Sequence, residues 1–344
     1  MEISKNGAVA AALTIALAAT LFSSGCAGLA DRRGPSAVAD AGSTWSAPQW
    51  LGDGGLRFEE GDILLVRSPE VFSALFARHG SGGDYSHAIL VVRSLDDDAP
   101  MALHIMGRGL LMEPLRERLE ASARVAVLRL GESDETAAAR LRAASLAWIE
   151  RDREQRLTFS LHAWEGWREQ PLTFNCVGLV NRIYRDANLS EPFPAPPERP
   201  ADEWQRLVRR YFDLDLTTLP GTGEVVGNPA FVWLGAGENP EFDPRILAVQ
   251  DEIVDAVHGF ALAGLEPRQP RGLVRVGLVL AEATGRISRK TRRQVEMRLV
   301  FADFARRVEK PARAYLRRRP RADEARLRAL AERRSNHLRD RYFE

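Results

Sequence analysis

Between residues 60 and 130, short apolar runs alternate with polar segments that contain Gly, Asp or Pro. The runs lie at residues 62–66, 85–92, 101–106, 110–115 and 125–130. Continuous apolar stretches of this length, bounded by turn residues, are typical of buried β-strands. Where a short turn joins two of these runs, as between residues 92 and 101 and between 106 and 110, the strands can form an antiparallel hairpin. This part of the chain therefore predicts an antiparallel sheet.

Helical periodicity surrounds and follows these strands. Residues 69–79 predict a short helix, residues 134–156 a long amphipathic one, and a third is expected from Cys176 to about Asp186. Residues 201–212 and most of the chain from residue 244 onward are also helical in pattern. The breaks predicted in this last part lie around residues 267–272, at Pro311 and at Pro320.

We therefore expect an α+β protein with four parts. Residues 1–26 form a signal peptide, and residues 27–57, rich in Gly, Ser, Ala and Asp, form a flexible tether. Residues 58–200 form a domain in which the antiparallel sheet packs against the helix that begins at Cys176. Residues 201–344 form a mostly helical, basic region. A chain of 344 residues, 45% of them hydrophobic, is long enough to bury such a core.

The N-terminal segment predicts export. Residues 7–25 carry no charge and end in small residues, and this apolar run is too short to span a membrane. The ending Leu21-Phe22-Ser23-Ser24-Gly25-Cys26 resembles a bacterial lipoprotein signal, which implies lipidation of Cys26. Ser23 departs from the usual Leu, and the alternative is an ordinary secretory signal. The residue after the cysteine is Ala27 and not Asp. The resemblance to lipoproteins then implies a place in the cell envelope, on the periplasmic face of the outer membrane.

Charge is distributed unevenly although the net charge is only +1. Residues 284–344 contain 20 Lys+Arg and 8 Asp+Glu, which leaves 28 and 39 for the remainder of the chain. A basic segment of this kind can contact anionic lipid, cell-wall polymer or nucleic acid, and the alternative is a solvated helical surface. Given the expected export, we expect contact with anionic envelope polymers and no nucleic-acid partner.

Cys176 is the candidate nucleophile. If Cys26 is acylated, Cys176 has no partner for a disulfide, and the cysteines cannot build a metal site. Asn175 is a suitable N-cap, which places Cys176 in the first turn of a helix that has no acidic residue before Asp186. The helix dipole then favours the thiolate. The alternative is a small buried cysteine that only fills space.

Two histidines precede this cysteine on neighbouring predicted strands. In an antiparallel hairpin that places His87 opposite Met106, His104 becomes the diagonal neighbour of His87, with backbones roughly 7–8 Å apart. A slip of one residue would put the two histidines on opposite faces of the sheet. Thiol catalysis needs one group to accept the thiol proton and a second to orient the first. Each histidine can also be an ordinary core residue.

Four segments together resemble a known family: Gly61-Asp62-Ile63-Leu64-Leu65, Tyr85-Ser86-His87-Ala88-Ile89, Leu103-His104-Ile105, and Phe174-Asn175-Cys176-Val177-Gly178-Leu179-Val180. They are similar to the permuted papain-like amidases of the NlpC superfamily, and most of all to the YaeF/YiiX group. In that family the histidine strand precedes the cysteine helix. The resemblance covers about residues 60–190 and implies a nucleophile at Cys176 and a base at His87. His104 takes the place of a third polar residue that is often Glu in this group.

The resemblance implies acyl transfer without a metal or other cofactor. Cys176 would attack a carbonyl, His87 would carry the proton, and His104 would fix the tautomer of His87. The backbone N–H of Cys176 would hold the oxyanion, with Tyr85 and Asn175 as further oxyanion or cleft candidates. The expected enzyme is a lipid-anchored hydrolase of peptidoglycan peptides. The alternatives are a lipid acyl hydrolase or acyltransferase on the same fold, and a non-catalytic binding or scaffold lipoprotein.

Other polar and aromatic residues are expected to have structural roles. His162, Trp164 and Trp167 could line the cleft before Cys176, but packing is the preferred interpretation. Glu113 could pair with Arg108 or reach the site, and we expect a solvated strand end instead.

Overall fold

A computed structural model of the chain describes residues 46–52, 55–80, 84–94, 96–106, 109–131, 134–159, 172–194, 203–212, 228–268, 273–285 and 287–344. These residues form two compact units. The sheet unit comprises the described residues within Gly28–Arg199 and Thr217–Pro244. The helical unit comprises those within Pro200–Leu216 and Arg245–Glu344. The predicted signal peptide, with Cys26, lies outside the described residues.

The sheet unit is mixed α/β and is built on a mostly antiparallel sheet. Its strands are β1 (Ile63–Arg67), β2 (His87–Arg93), β3 (Pro100–Met106), β4 (Gly109–Pro114), β5 (Arg124–Leu130), β6 (Thr158–Phe159), β7 (Thr173–Phe174) and β8 (Phe231–Glu238). The main sheet has the order β4-β3-β2-β1-β5-β8, and every neighbouring pair is antiparallel. The short strands β6 and β7 form a separate parallel pair. The antiparallel sheet predicted from the apolar runs is thus confirmed.

Helices cover both faces of this sheet. They are α1 (Val71–Leu75), which continues as a π-helical turn at Phe76–Gly80, α2 (Leu115–Glu120), α3 (Glu135–Gln155) and α4 (Cys176–Asp186). Ile63 and Leu65 of β1 join one buried cluster with residues of α3 and α4. Leu64 and Val66 join a second cluster on the opposite face with residues of α2. Burial on both faces explains why the strands are continuous apolar runs instead of alternating ones.

Helix α4 is tied to the sheet by buried polar contacts. The Tyr184 hydroxyl donates a 2.6 Å hydrogen bond to the Gly61 carbonyl, just before β1. The neighbouring Asp62 carboxylate is fully buried and accepts two hydrogen bonds, at 2.7 and 2.9 Å, from the Arg129 guanidinium of β5. Asn181 exchanges two hydrogen bonds with the Phe193 backbone, at 2.7 and 2.9 Å. The Tyr184 bond ties α4 to the residue before Asp62 and β1, the Asp62 bonds tie this segment to β5, and the Asn181 bonds hold α4 to the segment that follows it.

The predicted tether is wrong for its C-terminal part. Leu51 is completely buried and Phe58 nearly so, and both belong to the cluster that contains α2. Ala47 N–H donates to the Leu56 carbonyl at 2.8 Å, which closes a loop. The abundance of small residues in 27–57 suggested a linker, but Leu51, Leu56 and Trp50 cap one face of the sheet. The ordered body therefore begins at least as early as residue 46.

The predicted domain boundary at residue 200 misplaces one strand. β8 pairs with β5 from Leu130↔Phe231 to Arg124↔Glu238, with a bulge between Val127 and Leu128. Sequence patterning assigned this segment to the mostly helical region because Gly235 and Gly237 interrupt its apolar positions. The glycines have a steric reason, because a Cβ built on Gly237 would lie 1.9 Å from the Trp50 carbonyl oxygen.

This contact predicts a stability difference between two glycine substitutions in one strand. Gly237→Ala should destabilise the protein by about 1–3 kcal/mol, since the added methyl group collides with backbone that cannot move easily. Gly235→Ala is the matched control, because its nearest neighbour, Gly52 Cα, would lie at an ordinary 3.7 Å. Urea unfolding of both variants measures the difference. Equal stabilities would show that Trp50 does not pack on β8.

The helical unit contains α5 (Glu203–Phe212), α6 (Pro244–Leu262), α7 (Leu273–Ala283), α8 (Arg289–Arg318) and α9 (Glu324–Tyr342). The break predicted at Pro320 is confirmed, but the one at Pro311 is wrong, because α8 continues through it. Proline removes one backbone N–H, and burial of Val308 and Ala312 on either side keeps the helix packed. Phe260, Phe304 and Phe343 form the aromatic centre of this unit. Among the described residues, no helix is both long and apolar enough to cross a membrane.

Candidate active site

Cys176 is the first residue of α4, as the sequence predicts. Asn175 has extended backbone angles, and its Oδ1 accepts a 2.6 Å hydrogen bond from the Gly178 N–H. The side-chain oxygen of Asn175 is therefore used as the N-cap, which fixes the start of the helix. No acidic residue lies in the first turn. The cap orients the first turn and with it the Cys176 side chain.

The Cys176 thiol lies against the start of β2. It is partly exposed, and backbone N–H groups of Ala88, Val177 and Cys176 itself interact with the sulfur. Burial raises the pKa of Cys176, and these N–H groups oppose the rise without cancelling it. The helix start favours the thiolate, as expected, but burial outweighs this effect and the net direction of the pKa is upward. Since Ala88 directly follows His87, the sulfur is held beside the histidine strand.

His87 and His104 are hydrogen-bonded to each other. Leu90 pairs with Leu103 across β2 and β3, and this register, continued toward the strand ends, makes His104 the diagonal neighbour of His87. His87 Nε2 lies 2.9 Å from His104 Nδ1, and the rings meet edge to face at a centroid distance of 5.1 Å. His104 is buried, with 1% of its surface exposed. The structure thus brings together the two imidazoles that the sequence singled out.

Glu113 adds a third side chain to the hydrogen-bonded line that His87 and His104 form. It lies on β4 opposite Ala102, which makes it the diagonal neighbour of His104 across the next pair of strands. Its Oε1 is 3.1 Å from His104 Nε2 and 3.7 Å from Nη1 of the buried Arg118. The expectation of a solvated strand end is therefore wrong. The register argument that linked His87 to His104 would have found Glu113 if it had been continued across the β3–β4 hairpin.

Serine side chains support the other side of His87. Arg118 Nη2 donates to Ser68 Oγ at 3.3 Å, and Ser73 Oγ accepts from the Ser68 N–H at 3.0 Å. Ser73 Oγ lies 2.6 Å from Ser86 Oγ, which directly precedes His87. Ser86 also donates to the Val66 carbonyl at 3.3 Å. The serine in the Ser-His motif therefore anchors the first residues of β2 to β1 and α1.

Burial and charge keep both imidazoles neutral. Burial lowers the pKa of His87 well below its usual value, and the charges of His104 and Arg118 lower it further. Burial also lowers the pKa of His104, although the hydrogen bond to Glu113 acts in the opposite direction. For Glu113, burial favours the protonated form, but the His104 hydrogen bond and the charges of His104 and Arg118 together lower its pKa. At neutral pH the line consists of two imidazoles and a carboxylate, and among the described residues no hydrogen bond joins it to the Cys176 thiol.

The hydrogen-bond chemistry assigns the tautomers. A carboxylate only accepts, so His104 Nε2 carries the proton that is donated to Glu113. His104 Nδ1 is then unprotonated and accepts from His87 Nε2, which must carry a proton. His87 Nδ1 is left as a free base, the state that thiol deprotonation requires. One carboxylate therefore sets the tautomers of two imidazoles in series.

The remaining site predictions have different outcomes. The Tyr85 ring packs at 6.4 Å from the Trp233 ring of β8, and burial raises the pKa of Tyr85 to about 12. Its role as an oxyanion donor stays a prediction. His162, Trp164 and Trp167 lie outside the described residues. Within the described ranges, no group of three or more His, Cys, Asp or Glu side chains is arranged to hold a metal ion.

Alkylation of Cys176 should report the raised thiol pKa. In the full chain with Cys26→Ser, the iodoacetamide rate is expected to rise with pH through an apparent pKa above the ordinary value of about 8.5. The same chain in about 6 M urea provides the unfolded reference. A reactive thiolate at pH 6 would show that Cys176 and His87 rest as an ion pair instead. A profile at the ordinary pKa that His87→Ala leaves unchanged would show that the two side chains do not interact.

The fold and these side chains define a mixed α/β protein with a mostly antiparallel sheet and a cysteine at a helix start beside a histidine strand. No family model matches the chain, and no curated protein is significantly similar to it. Among solved structures, it is similar to the crystal structure of the metalloprotein yiiX from Escherichia coli O157:H7, DUF1105. The TM-score is 0.41 at 16% sequence identity, and the match covers 53% of this chain and 98% of that chain. This weak structural neighbour comes from the YaeF/YiiX-like group.

Proposed function

We propose that the sheet unit is a cysteine hydrolase of permuted papain-like type that cleaves an amide bond through a thioester. Two observations support the proposal: the hydrogen-bonded line from His87 through His104 to Glu113, and the Cys176 sulfur beside the N–H of Ala88, the residue after His87. Approach of the sulfur to the His87 ring is part of the proposal. A cysteine that only fills space has no need of two tautomer-fixed histidines beside it. The chain order, with the histidine strands before the cysteine helix, also supports the permuted type.

The resting charges determine the order of proton transfer. Because the thiol and His87 are both neutral, Cys176 Sγ loses its proton to His87 Nδ1 while it bonds to the carbonyl carbon. The carbonyl π electrons move to oxygen, where the Cys176 N–H at the start of α4 can donate to the oxyanion. Collapse of this intermediate expels the amine, which takes the proton from the His87 imidazolium.

Water completes the cycle. The amine leaves Cys176 acylated and His87 neutral, so His87 Nδ1 can accept a proton from the attacking water. The second tetrahedral intermediate then expels the thiolate, which regains its proton from His87, and the carboxylic acid departs. His104 positions His87 in both half-reactions, because its Nδ1 keeps the proton of His87 on Nε2. Transfer to an acceptor other than water would make the same site an acyltransferase.

Peptidoglycan peptides are the proposed substrates, and lipid acyl esters are the second candidate. The predicted signal peptide supports the first, since export would bring the enzyme to the cell wall. The second is supported by the arginine-rich helical unit, because cationic side chains attract anionic lipid surfaces. In either case we propose that the protein is anchored through Cys26 in the cell envelope, on the periplasmic face of the outer membrane.

Trapping of the acyl-enzyme tests the proposal. The full chain is mixed with purified muropeptides or with phospholipid vesicles, quenched in acid and digested, and the peptide that contains Cys176 is weighed by mass spectrometry. We expect an acyl adduct on this peptide that hydroxylamine removes, and no adduct on Cys176→Ala. The substrate that gives the adduct distinguishes an amidase from a lipid acyl hydrolase. A thiol that stays unmodified with both substrates, with no product released, would support a binding protein instead.

A further inference from the structure

The connection between α8 and α9 carries arginines that lack acidic partners. Arg317, Arg318, Arg319 and Arg321 are exposed, and none has a carboxylate within ion-pair distance among the described residues. We call residues 317–321 the arginine turn. Several other arginines on the two helices are paired within 4 Å, as in Arg292–Glu296, Arg307–Asp303, Arg313–Glu309, Arg328–Glu324 and Arg339–Asp340. The arginine turn places four arginines, none with an acidic partner in the described part of the chain, within five consecutive residues.

A cleft opens beside the arginine turn. One wall is a single face of α9, formed by Arg326, Ala329, Leu330 and Arg333, which have the spacing of successive helical turns. The opposite wall is Tyr315, in the last turn of α8. The cleft has a volume of about 300 Å³. It combines two guanidinium groups and a phenol with an apolar floor.

Two arginines supply the positive charge at the cleft that no carboxylate of the described residues balances. Arg326 is already paired with Asp323 at 3.3 Å, so Arg333 supplies the unpaired guanidinium on the α9 wall. On the other side, the Arg319 guanidinium lies over the Tyr315 ring, 5.6 Å from its centroid. Arginine forks bind phosphate oxygens well because they are planar and weakly hydrated. The pattern suits an anion that also presents an apolar part to Leu330.

We propose that this cleft binds the head group of an anionic phospholipid. The phosphate would lie between Arg319 and Arg333, and the glycerol and first methylenes would contact Leu330. A cleft of this volume holds one head group, whereas a polymer needs an extended groove. The other residues of the arginine turn would face the surrounding anionic surface, which attracts cations within about a Debye length. The helical unit would thus contact a membrane independently of any lipid on Cys26.

Vesicle binding tests the proposal with the full chain carrying Cys26→Ser. Vesicles of pure phosphatidylcholine are compared with vesicles that contain phosphatidylglycerol in addition, so that the apolar N-terminus contributes equally to both. We expect tighter binding to the anionic vesicles. The double variant Arg319→Gln/Arg333→Gln should weaken it by roughly 25-fold, at about fivefold for each arginine. Arg313→Gln is the matched control and should leave the affinity unchanged, since Arg313 is paired with Glu309.

Soluble probes separate the head group from other anions. Monomeric dihexanoyl-phosphatidylglycerol should bind saturably to the wild type and at least tenfold more weakly to the double variant, as followed by NMR. Inorganic phosphate at the same concentration should not compete. Competition by phosphate alone, or preferential binding of double-stranded DNA, would overturn the lipid assignment. Equal vesicle binding by wild type and double variant, with unchanged circular dichroism, would overturn the site. These results are independent of Cys176 chemistry.

Discussion

Substitution of Glu113 by Gln is expected to reduce amide-bond cleavage by a factor on the order of 10²–10⁴ while the sheet unit stays folded. The amide has nearly the shape of the carboxylate, but it can donate as well as accept. When the introduced amide donates to His104 Nε2, the proton of His104 moves to Nδ1 and is donated to His87 Nε2. His87 then carries its own proton on Nδ1, so this nitrogen cannot accept the thiol proton. The loss therefore comes from the wrong tautomer and not from lost packing.

The readout must distinguish a tautomer effect from a structural one. Steady-state kinetics of Glu113→Gln should show the loss in kcat with little change in KM, because Glu113 does not face the substrate. The ¹⁵N chemical shifts of the His87 and His104 rings should show protonation move from Nε2 to Nδ1. Glu117→Gln is the control, since Glu117 is an exposed carboxylate on the following helix and should behave as wild type. A fully active Glu113→Gln would show that His104 orients His87 unaided.

Much of the site follows from local rules that can be applied to the sequence. The N-cap at Asn175 predicts where α4 begins, and the cysteine position follows directly. Side chains alternate between the two faces of a sheet, so the sequence shows which residues of one strand share a face. His87 and His104 can therefore be paired once one hairpin register is chosen. The same rule leads to Glu113, because the pairing of Met106 with Gly109 sets the register of β3 and β4. Glu113 was missed because a lone carboxylate at a strand end is usually solvated.

The features that sequence patterning missed depend on contacts between distant parts of the chain. Strand β8 joins the sheet through β5, about 100 residues earlier, and its glycines are explained only by the close approach of Trp50. Leu51 is apolar in a segment of linker composition, and its burial depends on the sheet face that it covers. The pKa of the Cys176 thiol likewise depends on contacts between distant parts of the chain. Position in a helix predicts a stabilised thiolate, whereas burial beside β2 disfavours the charge.

Acid should destabilise the sheet unit through His87 and His104. Burial lowers the pKa of His87 and His104 in the folded state, whereas the unfolded chain has the ordinary value near 6.5. Above pH 6.5 the histidines are neutral in both states and make no pH-dependent contribution. Below it the unfolded chain binds protons that the folded protein does not. The free energy of unfolding is therefore expected to fall with pH, by up to about 1.4 kcal/mol per pH unit for each histidine.

The pH range that tests this prediction lies below the ordinary pKa of histidine and above the ordinary pKa of a carboxyl group. Glu113 has a lowered pKa, so its stabilising contribution is complete above its unfolded value of about 4.3 and is lost only in stronger acid. Burial raises the pKa of the Glu60, Asp62 and Glu70 carboxyl groups, whose contribution therefore opposes that of the histidines as the pH falls.

Urea unfolding of wild type and His87→Asn at pH 7.5, 6.0 and 5.0, followed by tryptophan fluorescence, isolates His87 as the difference between the two. His87→Asn should remove one titrating group and flatten the slope below pH 6.5 by about one proton. His337→Asn is the matched control, because His337 is exposed on α9. A difference between wild type and His87→Asn that stays constant from pH 7.5 to 5.0 would mean that the folded His87 imidazole accepts protons freely, and the neutral resting state from which the proton-transfer order was derived would be wrong.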